Sequence, residues 1–224
     1  MLFDKIILDF DGTIWDKDNL NIDISKEILN LLNNKFKYNS IIVSGNTYSS
    51  ISDRINLVNN ILDFNVDILA NFNSCLYNSG KLKCYMDKLD ISDSSNHIVN
   101  YIKTCLNMNP IIVGNEDYFI SNIKIKPLEE SYRQYLCDLF NNNIFNHLNI
   151  RNCKAIKAGR TTLDIIHINN NKSLAYDFLK LSDYKTIYIG DEVIKGNDSS
   201  IAELCDLSIN VNNINQTLEI LKIL

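Results

Sequence analysis

Short continuous apolar runs alternate along this chain with stretches in which apolar residues recur at helical spacing. The first run, Lys5-Ile6-Ile7-Leu8, leads straight into Asp9-Phe10-Asp11-Gly12-Thr13. An unbroken apolar run closed by a glycine turn predicts a central strand of a parallel sheet, buried on both faces. Asp23-Ile24-Ser25 then opens a helical pattern through Leu32, with Ser or Asp available as a cap. A second apolar run, Ser40-Ile41-Ile42-Val43, closes on Ser44-Gly45. A helix over about 47–59 and a strand over 66–70 complete a β-α-β-α-β order. That order implies a parallel sheet joined by right-handed crossovers. A short strand and turn over 71–80 lead out of this core.

The pattern changes between 81 and 168. Ile98, Val99, Ile102, Cys105 and Leu106 form one helical stripe, and Leu128, Tyr132, Tyr135, Leu136, Leu139 and Phe140 form another. Each stripe precedes two strand-like runs: 110–113 and 118–126 after the first, 152–157 and 161–167 after the second. The predicted order is α-β-β-α-β-β, and two helices can cover only one face of such a sheet. The parallel pattern resumes with a helix after Asn171-Lys172-Ser173, a strand Thr186-Ile187-Tyr188-Ile189 closing on Gly190-Asp191, and a final helix, strand and helix. The predicted class is therefore α/β: a Rossmann-like core over 1–80 and 169–224, interrupted by an α+β insert over 81–168.

The 224 residues suffice for a core with a smaller insert, and the 46% apolar share is ordinary for a globular chain. A net charge of −5 with scattered Lys and Arg argues against nucleic acid or an anionic membrane as the main partner, while one pocket can still take a small anion. The six Cys are far apart, without metal-ligand spacing, and read as reduced, mostly buried thiols. A leader is not expected, because Asp4 interrupts the first residues, and no run approaches the roughly 20 apolar residues of a membrane span. The expected setting is the cytoplasm, as a monomer or homodimer. The seven Gly are few, so each is expected where the backbone turns sharply or nears a ligand; Gly12, Gly45, Gly190 and Gly196 fall in or beside the stretches that carry the candidate chemistry.

Candidate chemistry starts at the first strand end. Strand alternation would send Asp9 and Asp11 to one side and turn Phe10 into packing. Two carboxylates roughly 4 Å apart repel by about 4 kcal/mol at an effective dielectric of about 20. Such a pair needs a proton, a cation or a chemical role, although two solvated Asp in a turn would also fit.

Asp-Phe-Asp-Gly-Thr resembles the D-x-D-G-T signature of the haloacid dehalogenase-like superfamily, and three further matches follow in order. Ser44-Gly45 is similar to its second motif, a strand-end hydroxyl; Asn46 stands where many relatives carry Arg. Lys172 fits the third motif, and Gly190-Asp191 with Asn197-Asp198 the fourth, across a gap longer than most Cof-like members show. The 81–168 insert resembles the C2-type cap of the Cof-like and phosphomannomutase-like branches.

The resemblance implies a Mg²⁺-dependent phosphatase acting on a small phosphorylated metabolite, with a sugar phosphate expected. Asp9 is the implied nucleophile and Asp11 the implied acid and base. Asp9, the Asp11 carbonyl and Asp191 are the implied metal ligands, supported by Asn197 and either Asp198 or Glu192. Thr13, Ser44, Gly45 and Lys172 are the implied phosphoryl contacts. Thr162, Asp164 and Lys126, on the polar face of the insert sheet, are the expected substrate readers, the alternative being an ordinary solvated face. A phosphomutase or a catalytically idle binding protein are the other readings.

Overall fold

The structure, a computed structural model, describes residues 2–16, 21–37, 39–58, 66–70, 74–79, 81–115, 119–126, 128–158, 161–194 and 198–224. Its first elements are β1 (Lys5–Leu8), α1 (Ile22–Asn34), β2 (Ser40–Val43), α2 (Tyr48–Val58), β3 (Asp67–Ala70), β4 (Cys75–Asn78) and β5 (Lys81–Tyr85). Next come α3 (Ser92–Cys105), β6 (Ile111–Asn115), β7 (Phe119–Ile125), α4 (Glu130–Leu139), α5 (Phe145–His147), β8 (Cys153–Ala158) and β9 (Thr162–His167). The chain ends with α6 (Ser173–Phe178), β10 (Thr186–Gly190), α7 (Ser199–Ala202), β11 (Leu207–Asn210) and α8 (Ile214–Ile223). Two units result: Met1–Tyr85 with Asn171–Leu224, and Met86–Asn170.

In the first unit a seven-stranded sheet runs β11-β10-β1-β2-β3-β4-β5. The five strands from β11 to β3 are parallel to their neighbours, while β4 and β5 add on antiparallel. The predicted parallel core is thus present. The insert's expected start at Lys81 falls instead in β5, which pairs with β4 in this sheet. Lys81, Leu82 and Lys83 are all exposed, as suits an edge strand.

Alternation explains the packing. Ile6, Leu8, Ile42, Ile68, Ile187 and Ile189 share one apolar cluster with Ile28, Leu29 and Leu32 of α1, Ile51 and Ile55 of α2, and Leu218 and Leu221 of α8. Ile7 and Tyr188, register partners between these positions, face the other way, and both are fully buried. Burying one such side chain contributes about 1.5–3 kcal/mol, so a polar substitution at Ile6, Ile7 or Leu8 would be costly. Helix α1 begins earlier than Ser25: that side chain is buried inside the helix and caps nothing, because its position falls on the face turned inward.

The second unit has the predicted α-β-β-α-β-β order, with an antiparallel sheet β6-β7-β9-β8. Ile123, Ile125, Leu163 and Ile165 join α3 and α4 in a second apolar cluster. At Phe140–Ile144 the α4 helix widens into a π turn. The side chain of Asn141 there accepts the Ala155 N–H (2.8 Å) and donates to its carbonyl (2.9 Å), standing in for a neighbouring strand on the open edge of β8.

The opposite face carries Asn122, Lys124, Thr162 and Asp164. Lys124 and Asp164 are register partners across β7 and β9, with Nζ 3.9 Å from the carboxylate, and Asn122 donates to Asp164 Oδ1 at 3.2 Å. Asn122 and Asp164 are fully buried, and Asp164 Oδ2 has no hydrogen-bond partner. Thr162 is half-buried and Lys126 exposed, so the polar face is not uniformly solvated.

Burial pushes the Asp164 carboxyl up to about 6, against the pull of Lys124, Asn122 and Lys126. A carboxyl with a folded pKa above its unfolded 3.8 stabilises the fold fully below pH 3.8, and that contribution is lost as pH rises through about 6. Asp164→Asn should therefore stabilise the protein at pH 7 by up to about 3 kcal/mol, with the gain vanishing near pH 4. Urea unfolding at both pH values checks this; an equal gain at both would remove ionisation as the cause.

Candidate active site

The parallel strands β10, β1 and β2 are adjacent, and their C-terminal ends bring Gly190-Asp191, Asp9 and Ser44 to one edge of the sheet, where open α/β sheets bind ligands. Asp9 continues the ladder through its N–H, which donates to Ile189 at 3.0 Å. Beyond it the chain turns tightly: Phe10 accepts the Ile14 and Trp15 amides (2.9 and 2.8 Å), and the Gly12 N–H donates to Trp15 at 2.7 Å. Gly12 has a φ of 82°, the left-handed region that glycine enters at little cost.

Lys172 joins the ends of this cluster. Its Nζ donates to Asp9 Oδ1 at 2.6 Å and also to Asp198 Oδ1. All three residues are buried. The other Asp198 oxygen accepts the Glu192 N–H at 3.3 Å. Asp198 rather than Glu192 therefore presents its carboxylate to the cluster, while Glu192 is exposed. A Cβ on Gly190 would collide with Asp198 Oδ2 and come within 2.7 Å of the Tyr188 ring, so the bare backbone there makes room for the carboxylate.

Among the described residues, Asp9, Asp191 and Asp198 each bring one carboxylate oxygen within 4.8 Å of the others. Burial pushes Asp9 up to about 7; Lys172 pulls it down, and Asp198 and Asp191 push it up. Burial opposes the Lys172 charge, but Asp9 and Asp198 outweigh it and hold the ammonium protonated, above the usual lysine range. Three hard oxygen donors around one fixed cation leave negative charge over, a composition that fits Mg²⁺.

Phe10 joins Ile6 and Leu8 in one apolar cluster, as alternation predicts, and Asp11 follows it in the Gly12 turn. Its carboxylate meets Asn46 Nδ2 through Oδ2 and Arg54 Nη1 through Oδ1, the latter at 2.5 Å. Phe10 is fully buried, as expected. Ser44 is buried, and its Oγ accepts the Asn46 N–H at 3.1 Å. Thr13 is buried with a hydroxyl that has no hydrogen-bond partner among the described residues, and Gly45 is half-exposed. Asn197 lies outside the described residues. Lys126, Thr162 and Asp164 belong to the other unit.

Sequence reading missed Arg54. Its signal was an Arg at the border of the Ile51–Ile55 stripe, on the helix after Ser44. The expected thiols are all free, with Cys75, Cys137 and Cys153 buried and Cys105 exposed. No described helix is long and apolar enough to cross a membrane.

No protein-family model matches the chain. No curated protein matches its sequence. Solved structures do. TM0651 from Thermotoga maritima superposes with a TM-score of 0.72 at 14% identity, covering 99% of this chain and 97% of that one. A haloacid dehalogenase-like hydrolase from B. subtilis gives 0.71 at 10% identity, covering 97% and 99%. The IMP-nucleotidase of Plasmodium falciparum gives 0.64 at 17% identity, covering 98% of this chain and 67% of that one. The chain has the fold of the haloacid dehalogenase-like hydrolases, a parallel-sheet core with a separate antiparallel cap.

Proposed function

We propose that this chain is a phosphatase of small phosphorylated metabolites, a sugar phosphate first among them, working in the cytoplasm with Mg²⁺. The observation that carries this reading is the buried Asp9–Lys172–Asp198 bridge beside Asp191 at the ends of β1 and β10. Asp9 attacks phosphorus, forming a carboxylate–phosphorus bond as the bond to the leaving oxygen breaks. Asp11 gives that oxygen its proton, then takes a proton from the water that hydrolyses the aspartyl phosphate. Lys172 neutralises Asp9 and faces the phosphoryl oxygens. The Ser44 hydroxyl, whose proton its contact with Asn46 does not use, holds another, with Gly45 and Thr13 alongside. Asp9, Asp191 and the Asp11 carbonyl would hold Mg²⁺, with Asp198 and Asn197 in support. When bound, the ion draws charge from the phosphoryl group and relieves the clustered carboxylates. Lys126, Thr162 and Asp164 on the cap read the rest of the substrate.

The test is phosphate release from a panel of sugar phosphates, nucleoside monophosphates and aryl phosphates, with Mg²⁺ and with EDTA. Release that EDTA abolishes is expected for the wild type, and Asp191→Ala should need at least about tenfold more Mg²⁺. No release from any ester with Mg²⁺ would sink the reading.

A further inference from the structure

The Asp11 carboxylate is held at both oxygens by donors from the second β-α unit. Asn46, just past β2, takes Oδ2; Arg54, in the second turn of α2, takes Oδ1 at 2.5 Å. The guanidinium is itself fixed. It lies 5.8 Å from the Phe10 ring centroid and 5.9 Å from that of Trp15, within cation–π range of both. Those rings are stacked 9° from parallel. Trp15 is in turn tied by its backbone to Phe10 and Gly12, the residues flanking Asp11. One arginine thus clasps the Asp11 turn by its carboxylate and by the two rings that bracket that turn.

A contribution to folding does not explain this arrangement well. The side chains of Arg54 and Asp11 are 31% and 35% exposed, and exposed ion pairs add little stability. Directional constraint explains it better. A carboxyl at the tip of a glycine turn can rotate, whereas one held at both oxygens points its remaining lone pairs in a fixed direction.

We infer that Arg54, seconded by Asn46, is a positioning residue that aims Asp11 at the oxygen leaving phosphorus. The inference rests on the phosphatase reading of the site. It concerns the step in which the phosphorus–oxygen bond breaks and the Asp11 proton passes to the departing oxygen. An alkoxide needs that proton; p-nitrophenolate leaves without it.

The experiment compares kcat/KM for p-nitrophenyl phosphate and for the fastest alkyl phosphate of the panel, since this ratio covers only the steps up to departure of the leaving group. Arg54→Ala should lower it roughly 10- to 100-fold on the alkyl ester, part of the range general acid catalysis supplies, and less than about threefold on the aryl ester. Arg54→Lys, which keeps one donor, should recover part of the loss. In an Asp11→Asn background Arg54→Ala should cost nothing further, as expected of a residue acting through Asp11. The melting temperature should stay within about 3 °C of wild type. Equal losses on the two esters, or full additivity with Asp11→Asn, would overturn the inference and leave the phosphatase reading standing. A wild type that releases phosphate from neither ester would overturn that reading, and the inference with it.

Discussion

Asp9→Asn should cut phosphate release by more than about 1,000-fold while leaving the fold intact. Asparagine keeps the shape, and its carbonyl can still accept from Lys172, but it offers no anionic oxygen to attack phosphorus. The same change should raise the melting temperature of the metal-free protein at pH 6 and above, with little gain near pH 4. The Asp9 carboxyl is pushed up to about 7 from 3.8, chiefly by burial. A carboxyl raised in this way stabilises the fold fully below pH 3.8 and loses that contribution as pH rises through about 7. Replacing it therefore relieves a burden that builds between pH 3.8 and about 7 and is full above that. Mg²⁺ should stabilise the variant less than the wild type, because one carboxylate of the cluster is gone. Two measurements suffice: phosphate release, and melting at pH 4 and pH 8 with and without Mg²⁺. Residual turnover above a few per cent would remove Asp9 as nucleophile.

Why the sequence led to Asp9 but not to Arg54 is a matter of distance along the chain. The run Ile6-Ile7-Leu8 reads as a buried strand, and the residues just past such a strand lie at a sheet edge, so the strand-end positions of Asp9, Ser44 and Asp191 were legible from local pattern, whereas their roles came from the motif resemblance. Lys172 was legible only through motif order, since nothing local separates a lysine before α6 from a solvated one. Its bridge joins Asp9 to Asp198 across 163 and 26 positions, and no periodicity encodes such a contact. Alternation placed Phe10 with Ile6 and Leu8 in one apolar cluster, but it could not show the partners of Asp11, because Asn46 and Arg54 lie 35 and 43 positions further along the chain. On the cap sheet, alternation correctly placed Asp164 and Lys124 opposite Leu163 and Ile123. Its silence concerned depth, because the same pattern serves a solvated face and one where Asn122 and Asp164 are fully buried.

Lys172→Met should strongly destabilise the core unit. Lys172 Nζ is the cation between Asp9 and Asp198, which are 7% and 0% exposed. Removing one partner of a buried ion pair leaves charge without solvent or counter-ion and typically costs about 3–5 kcal/mol, more than loss of the methylene packing that methionine largely retains. The loss must depend on pH in a definite direction. Lys172 lowers the Asp9 pKa, so without it the Asp9 carboxyl rises further and the folded state takes up a proton more readily. The destabilisation should therefore be greatest above neutral pH and shrink as pH falls and the carboxyl neutralises. Mg²⁺ should restore part of the stability, because a cation held by Asp9, Asp191 and Asp198 supplies the missing charge. Activity should not return with it, since the phosphoryl oxygens would still lack the ammonium. Urea unfolding at pH 6 and 8, with and without Mg²⁺, separates these effects. A loss independent of pH and metal would mean that Lys172 matters for packing rather than for the charge of the cluster.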